Sequence, residues 1–194
     1  MRGKRQVKKK KRRKNKEQRL NKKEQIFLTL NAERETRNVE RGTRNAEQKT
    51  FIMTINQLQD NIIEDFSQLD DWMDKYSLLI DLGNSLEPLD EKQKNPQNII
   101  EGCQSRVWLN AEMHDGIITY QGESDAILVK GLVSLLIQVM SGHTPDEIIN
   151  TELYFIDKIG LHEHLSPTRS NGLLAMVKQM KMFALAYKSV INDK

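Results

Sequence analysis

Cysteine is almost absent from this 194-residue chain: Cys103 is the only one. A single thiol forms no internal disulfide and no Cys-x-x-Cys redox pair, and such sparing use of cysteine fits a reducing, cytoplasmic compartment. Histidine is scarce too, at four residues. His162 and His164 stand two apart, a spacing that does not put both on one helix face. With no His-Glu-x-x-His pattern either, no zinc site is expected. His114 adjoins a turn signal and His143 a helix break, so both read as solvated surface groups. No Gly-x-Gly-x-x-Gly run and no Gly-x-x-x-x-Gly-Lys-Ser/Thr loop occurs, so neither phosphate-cradling signature applies. No stretch of about 18 apolar residues occurs, so no transmembrane helix is expected. No charged n-region leads into an apolar h-region, so no secretory signal is read. Acids are plentiful but scattered, and read as a solvated surface.

The net charge of +3 conceals two different pieces. Residues 1–52 hold 19 Lys/Arg and 6 Asp/Glu, a net of +13, which leaves 11 and 21, a net of −10, for residues 53–194. The basic run at residues 8–14 repels itself when compacted and buries no core. A weak seven-residue repeat, Thr36 to Glu40 and Thr43 to Glu47, lacks the apolar pair a coiled coil needs. One reading of this piece is a basic arm that binds nucleic acid by counterion release, although no aromatic residue interleaves its basic cluster. A transit peptide is disfavoured, since the segment has no serine and six acids. The reading adopted is a disordered basic extension, translated from upstream DNA, with Met53 as the true start.

Residues 53–194 read as one folding unit with a core. Thr54-Ile55-Asn56-Gln57 is a capping box, followed by Leu58, Ile62, Ile63, Phe66 and Leu69 at helical spacing. Asp70 or Asp71 caps a second helix whose stripe is Trp72, Tyr76, Leu79 and Ile80, with Gly83 as its C′ stop. That aromatic stripe reads as core. Residues 86–95 form a loop, and residues 97–100 a helical turn leading to Gly102-Cys103. From Ser105 the pattern alternates, with Val107, Leu109, Ala111 and Met113 on one face. Asp115-Gly116 signals a hairpin, and residues 117–121 the returning strand. Ser124 or Asp125 caps a nearly all-round apolar helix, residues 126–140, which belongs at the centre. Thr144-Pro145-Asp146-Glu147 starts another helix. A short one near residues 152–158 and a last amphipathic one over residues 171–190 follow. The class is α+β: a small antiparallel sheet packed by helices.

Chemistry then concentrates on Cys103. A lone cysteine is more often a small buried hydrophobe than a nucleophile. Three neighbours argue otherwise. Gly102 permits unusual backbone angles and close approach by a partner. Gln104, Ser105 and Arg106 are polar rather than core-like. The Arg106 charge favours the thiolate, the reactive form. A second conspicuous segment is His164-Leu165-Ser166-Pro167-Thr168-Arg169-Ser170-Asn171-Gly172. It reads either as a polar cluster supporting the cysteine loop, with Arg169 bridging backbone carbonyls, or as an elaborate helix cap.

Gly102-Cys103-Gln104-Ser105-Arg106-Val107-Trp108, preceded by Pro96-Gln97-Asn98, resembles the cysteine motif of the SufE family. Gly122-Glu123-Ser124-Asp125-Ala126 with Val129-Lys130-Gly131-Leu132 resembles the start of that family's central helix. His164 to Gly172 resembles its third motif. The likeness spans residues 58–187, in the right order, and leaves residues 1–52 outside. It implies an α+β fold similar to the IscU scaffold proteins. It implies that Cys103 takes sulfane sulfur from the persulfide of a SufS-type cysteine desulfurase, stimulates that enzyme, and carries the sulfur to a SufB-containing iron–sulfur scaffold complex. Gly102, Gln104, Ser105, Arg106, His164 and Arg169 would support the cysteine. Pyridoxal phosphate would stay on the desulfurase, so this chain would need no cofactor or metal. It would act as a carrier and activator rather than an enzyme, with homodimerisation possible and no membrane or nucleic acid involved.

Sulfur transfer agrees with the residues present. It needs a thiolate, access and a good leaving thiol on the partner, but no resolving cysteine. A loop that tucks Cys103 against Val107 or Leu135 and swings out on docking would shield a persulfide. Two rivals stand beside this reading. A cysteine hydrolase needs a histidine base within hydrogen-bond reach of Cys103. A nucleic-acid-binding protein would depend on the basic arm.

Overall fold

The computed structural model describes residues 53–192. The basic extension expected over residues 1–52 lies outside the described residues, as do the final two positions.

The chain opens with helix α1 (Ile55–Ser67), started by the expected capping box. The Gln57 N–H donates to Thr54 Oγ1 at 3.2 Å, and the Thr54 N–H to Gln57 Oε1 at 2.8 Å. Leu58, Ile62 and Phe66 recur on one face and are buried. Helix α2 (Trp72–Asn84) takes Asp71 rather than Asp70 as its cap, with the Asp74 N–H donating to Asp71 Oδ1 at 3.0 Å.

Gly83 is not the C′ stop expected of it. It lies inside α2, against helix α3 (Ile127–Met140). A Cβ on Gly83 would stand 2.7 Å from the Gly131 amide nitrogen, and one on Gly131 would stand 2.2 Å from the Leu79 carbonyl oxygen. The two backbones touch, and glycine on both sides permits it.

Strands β1 (Val107–His114) and β2 (Ile117–Ser124) pair antiparallel, from Val107 opposite Ser124 to His114 opposite Ile117. The returning strand is thus three residues longer than its alternation suggests. Asp115 and Gly116 make the turn, both with positive φ (51° and 78°), as a two-residue hairpin matching strand twist requires. Val107, Leu109 and Ala111 turn inward along β1, and Ile118 and Tyr120 along β2. The turn expected over residues 97–100 is shifted: residues 96–98 form it, with the Asn98 N–H donating to the Asn95 carbonyl at 3.2 Å, and Ile99 already bridges antiparallel to Trp108. The loop before them holds a 3₁₀ turn at Glu91–Gln93.

Helix α3 lies against α2 and against β2, where a Cβ on Gly122 would meet Val133 Cγ1 at 2.8 Å. This enclosure explains why its apolar residues nearly encircle it, with Ile127 at its first turn the exposed exception. Its start differs from expectation: Ala126 is the N-cap position and makes no side-chain cap bond. Ser124 and Asp125 are turned toward Arg106 instead.

Helix α4 (Pro145–Asn150) begins at the expected start signal with its proline, and Thr144 and Glu147 also form a capping box there. Two one-turn helices follow, α5 (Phe155–Lys158) and an unanticipated α6 (Leu161–His164). The last helix, α7 (Pro167–Asn192), starts four residues earlier than its apolar periodicity suggests. Proline at the first helical position has the right φ and no N–H to leave orphaned, so the polar run is itself the first turn. Tyr120 and Tyr187 donate to the carbonyls of Met180 and Ala111 at 2.7 and 2.8 Å, joining α7 to the sheet.

His143 is not a solvated surface group: it is 3% exposed. Its carbonyl accepts the Ile118 N–H at 2.9 Å, and the Gly142 N–H returns a bond to Ile118 at 2.8 Å. This backbone bridge to β2 draws the residue inward.

Candidate functional site

The strand bridge at Ile99 and the hairpin β1–β2 hold the two ends of the cysteine loop, residues 101–106. At its base the Ile100 N–H donates to the Val107 carbonyl at 2.8 Å, and the Leu109 N–H to the Asn98 carbonyl at 2.8 Å. A second clasp closes the other side. Asp125 accepts from the Arg106 backbone N–H and from its Nε, both at 3.0 Å. Ser124 Oγ donates to the Arg106 carbonyl at 2.9 Å. The loop is anchored at both feet while its middle has far fewer bonds.

Gly102 has a φ of 87°, in the left-handed region that side chains disfavour. A Cβ there would meet nothing closer than Ala175 Cβ at 4.0 Å, so the need is for backbone angle and not for space. The kink turns Cys103 back toward α7. The thiol is half-buried, and its Sγ donates to the Gly172 carbonyl at 3.6 Å. Burial pushes the Cys103 pKa up, toward the protonated form.

A cleft of about 520 Å³ opens beside the thiol. Gln104 and Ser105 line it from the loop, Asp125 and Val129 from the start of α3, and Thr168, Arg169, Gly172 and Met176 from α7. The third sequence segment and the cysteine loop therefore meet in one place. Val129 and Met176 form the apolar part of the cleft wall, where Val107 or Leu135 was expected to shield the thiol.

Arg106 does not favour the thiolate. Its guanidinium is paired with Asp125 and lies over the Trp108 ring, 5.6 Å from the centroid. Its charge is spent on the loop's foot, which leaves burial to set the Cys103 pKa. Arg169 does not bridge backbone carbonyls. It is exposed, its guanidinium makes no hydrogen bond among the described residues, and it lines the cleft. His164 is not in the cleft lining. Its ring stacks on Trp72 at 3.8 Å, and its carbonyl accepts from the Tyr76 hydroxyl. Its contribution is to dock the chain before α7 onto α2.

No histidine lines the cleft. His114 faces Glu112, His143 is held at the β2 bridge, and His162 faces Asp157 at 3.3 Å. The base that a cysteine hydrolase needs is not beside Cys103. Among the described residues no group of three or more His, Cys, Asp or Glu side chains is placed to hold a metal ion, and no helix is long and apolar enough to cross a membrane.

Glu123 braces the segment ahead of the loop. It accepts from the Leu89 N–H at 3.0 Å, and Lys94 Nζ lies 3.2 Å from its other oxygen. Burial by itself raises this carboxyl, but the Leu89 N–H and Lys94 outweigh it and hold Glu123 below the usual carboxylate range. A carboxyl depressed by folding adds stability above its unfolded pKa, about 4.3, and loses it as pH falls through the lower folded value. Glu123→Gln is therefore expected to lower the melting temperature at neutral pH, with the gap to the unsubstituted chain closing in acid. Melts from neutral pH down into acid check this. A gap that persists in acid would mean the loss is steric rather than ionic.

Gly172, Val129, Thr168 and Met176 join the cleft without having been singled out as site residues by the sequence. One signal was present for Gly172. A glycine inside a strong helix conflicts with helix propensity, and such conflicts mark packing or function.

With this geometry in hand, comparison decides the family. The SufE family, described as an Fe-S metabolism associated domain, matches residues 60–184. The chain belongs to the SufE family. An uncharacterised SufE-like protein of Rhizobium meliloti is 41% identical over 127 residues, covering 63% of this chain and 91% of the relative. A Synechocystis SufE-like protein, also uncharacterised, is 42% identical over 127 residues, covering 66% of this chain and 80% of the relative. The solution structure of a hypothetical protein from Thermus thermophilus superposes with a TM-score of 0.57 at 19% identity, over 68% of this chain and 96% of that one. That likeness establishes the shared fold. Membership of the SufE family ties the chain to Fe–S metabolism, and the family match takes in the cysteine loop, α3 and the cleft-lining turns of α7.

Proposed function

We propose that this SufE-family chain accepts sulfane sulfur on Cys103 from a SufS-type cysteine desulfurase, thereby stimulates that enzyme, and passes the sulfur to a SufB-containing scaffold complex. The observation that carries the reading is the half-buried thiol on a loop anchored at both feet and open to a cleft, with no histidine in reach. Such a site suits a carrier. The thiol is sheltered at rest, and what activates it must come from a partner.

The chemistry balances without an added oxidant. The Cys103 thiolate attacks the outer sulfur of the desulfurase persulfide. A new S–S bond forms on Cys103, the old one breaks, and the desulfurase thiolate leaves with the electron pair and takes up a proton. Cleavage of the carbon–sulfur bond belongs to the desulfurase and its pyridoxal phosphate. Burial disfavours the thiolate, so docking that draws residues 101–106 out of the cleft would both expose Cys103 and ionise it more readily. Arg169, exposed beside the thiol and with no side-chain partner among the described residues, is available to meet an acidic group on the partner.

The test is desulfurase turnover at fixed cysteine and reductant, with and without this chain. Turnover is expected to rise with added chain and to saturate. The same stimulation is expected from a chain beginning at Met53, since residues 1–52 lie outside the family match. Turnover that does not respond to the full-length chain would defeat the proposal.

A further inference from the structure

We propose that Gly172 is a positioning residue: its missing side chain lets α7 seat the Cys103 thiol in a closed position that holds its reactivity down. The inference deepens the reading of Cys103 as a sulfur acceptor and rests on it. Its own basis is geometric. A Cβ on Gly172 would stand 3.1 Å from Cys103 Sγ and 3.8 Å from both Cα and Cβ of Cys103. Among the described glycines outside the cysteine loop, only this one has the cysteine as its nearest neighbour. Glycine weakens a helix relative to alanine, so its presence in the second turn of α7 asks for a local reason. Here the sulfur crowds the space an alanine methyl would take and would have to give way slightly to admit it.

The seat acts on the chemistry as well as on position. In it the thiol points its S–H at the Gly172 carbonyl, 3.6 Å away. A thiolate in the same place would face the negative end of that carbonyl dipole, with Val129 and Met176 supplying apolar surroundings. The charged groups of the cleft, Arg169 on α7 and Asp125 ahead of α3, are opposite in sign, and Asp125 is paired with Arg106. The closed position therefore favours the protonated, unreactive form. A methyl at position 172 leaves the helix intact and moves the sulfur outward, toward solvent and ionisation.

The experiment is the rate of iodoacetamide alkylation of the full chain as a function of pH, for the unsubstituted protein and Gly172→Ala. The profile is expected to shift to lower pH. The rate at neutral pH should rise roughly three- to tenfold, the thiolate increase produced by lowering a pKa by about half to one unit. The melting temperature is expected to hold or rise, since alanine is the better helix former. A profile superimposable on that of the unsubstituted chain overturns the proposal. Should the alanine variant fail to fold, the unsubstituted chain decides alone. Its Cys103 is expected to titrate at higher pH when native than when unfolded in urea, and coincident profiles overturn the seat. Alkylation needs no desulfurase, so the two readings fail separately. An unshifted profile with intact persulfide formation removes only the role of Gly172. A shifted profile without persulfide formation removes only the acceptor reading.

Discussion

Cys103→Ser is expected to keep the fold and lose all stimulation of a cysteine desulfurase. The thiol is half-buried and makes one weak bond, to the Gly172 carbonyl. A hydroxyl is slightly smaller and, on a shorter bond to carbon, stands farther from that carbonyl, but its donor is met by water in the adjoining cleft. The stability change is accordingly about 0.5 kcal/mol or less, the range of substitutions that open no cavity and orphan no polar group. The functional loss is of another order. An alcohol does not ionise near neutral pH, and an oxygen nucleophile is a poor acceptor of sulfane sulfur, so no persulfide forms on the variant. Thermal melts and turnover assays with the same desulfurase check the two halves. A serine variant that still stimulates would show that docking alone activates the enzyme and that Cys103 takes no sulfur.

Gly131→Ala carries the largest expected effect on stability, opposite in sign to helix propensity. Propensity alone favours alanine in a helix interior by about 1 kcal/mol. The methyl, however, would sit 2.2 Å from the Leu79 carbonyl oxygen and 2.7 Å from its carbon. Both are backbone atoms of α2, so no rotamer change relieves the clash, and Gly83 already makes the mirror contact with Gly131. The helices must move apart, and α3 is also pressed against β2. Overpacking of ordinary side chains costs about 1–3 kcal/mol, and backbone against backbone lies at or beyond the upper end. A net loss of about 3 kcal/mol corresponds to a melting temperature lower by roughly 10 °C or more in a domain of this size. Thermal and urea melts decide it. An unchanged or raised melting temperature would mean that α2 and α3 do not pack as described.

These two residues show which parts of the molecule the sequence made readable. Local rules served well where the physics is local. The capping box at Thr54, the Thr144-Pro145 helix start, the Asp115-Gly116 turn and the alternation along β1 each depend on neighbours within a few positions, and each stands where its pattern places it. Gly83 failed because a terminating glycine and a close-packed glycine look alike in sequence. What separates them is Gly131, 48 positions later. His143 failed for the same reason, since the β2 bridge that buries it is set by tertiary structure. The site was readable at Cys103 and less so around it. Arg106 offers a positive charge near the thiol in sequence, but Asp125 claims it across the loop's foot. Arg169 is placed at the cysteine, though in a cleft rather than on carbonyls. Gly172 lies inside the third segment, and its importance is not local: it is a contact with Cys103 across 69 residues.

The most direct measurement is the intact mass of the full chain after incubation with a SufS-type desulfurase and cysteine, with no reductant, followed by peptide mapping. One added sulfur is expected, reversed by reductant and confined to the peptide that contains Cys103. A chain of unchanged mass, recovered from a desulfurase shown to be turning over, would contradict the assignment of Cys103 as the sulfur acceptor.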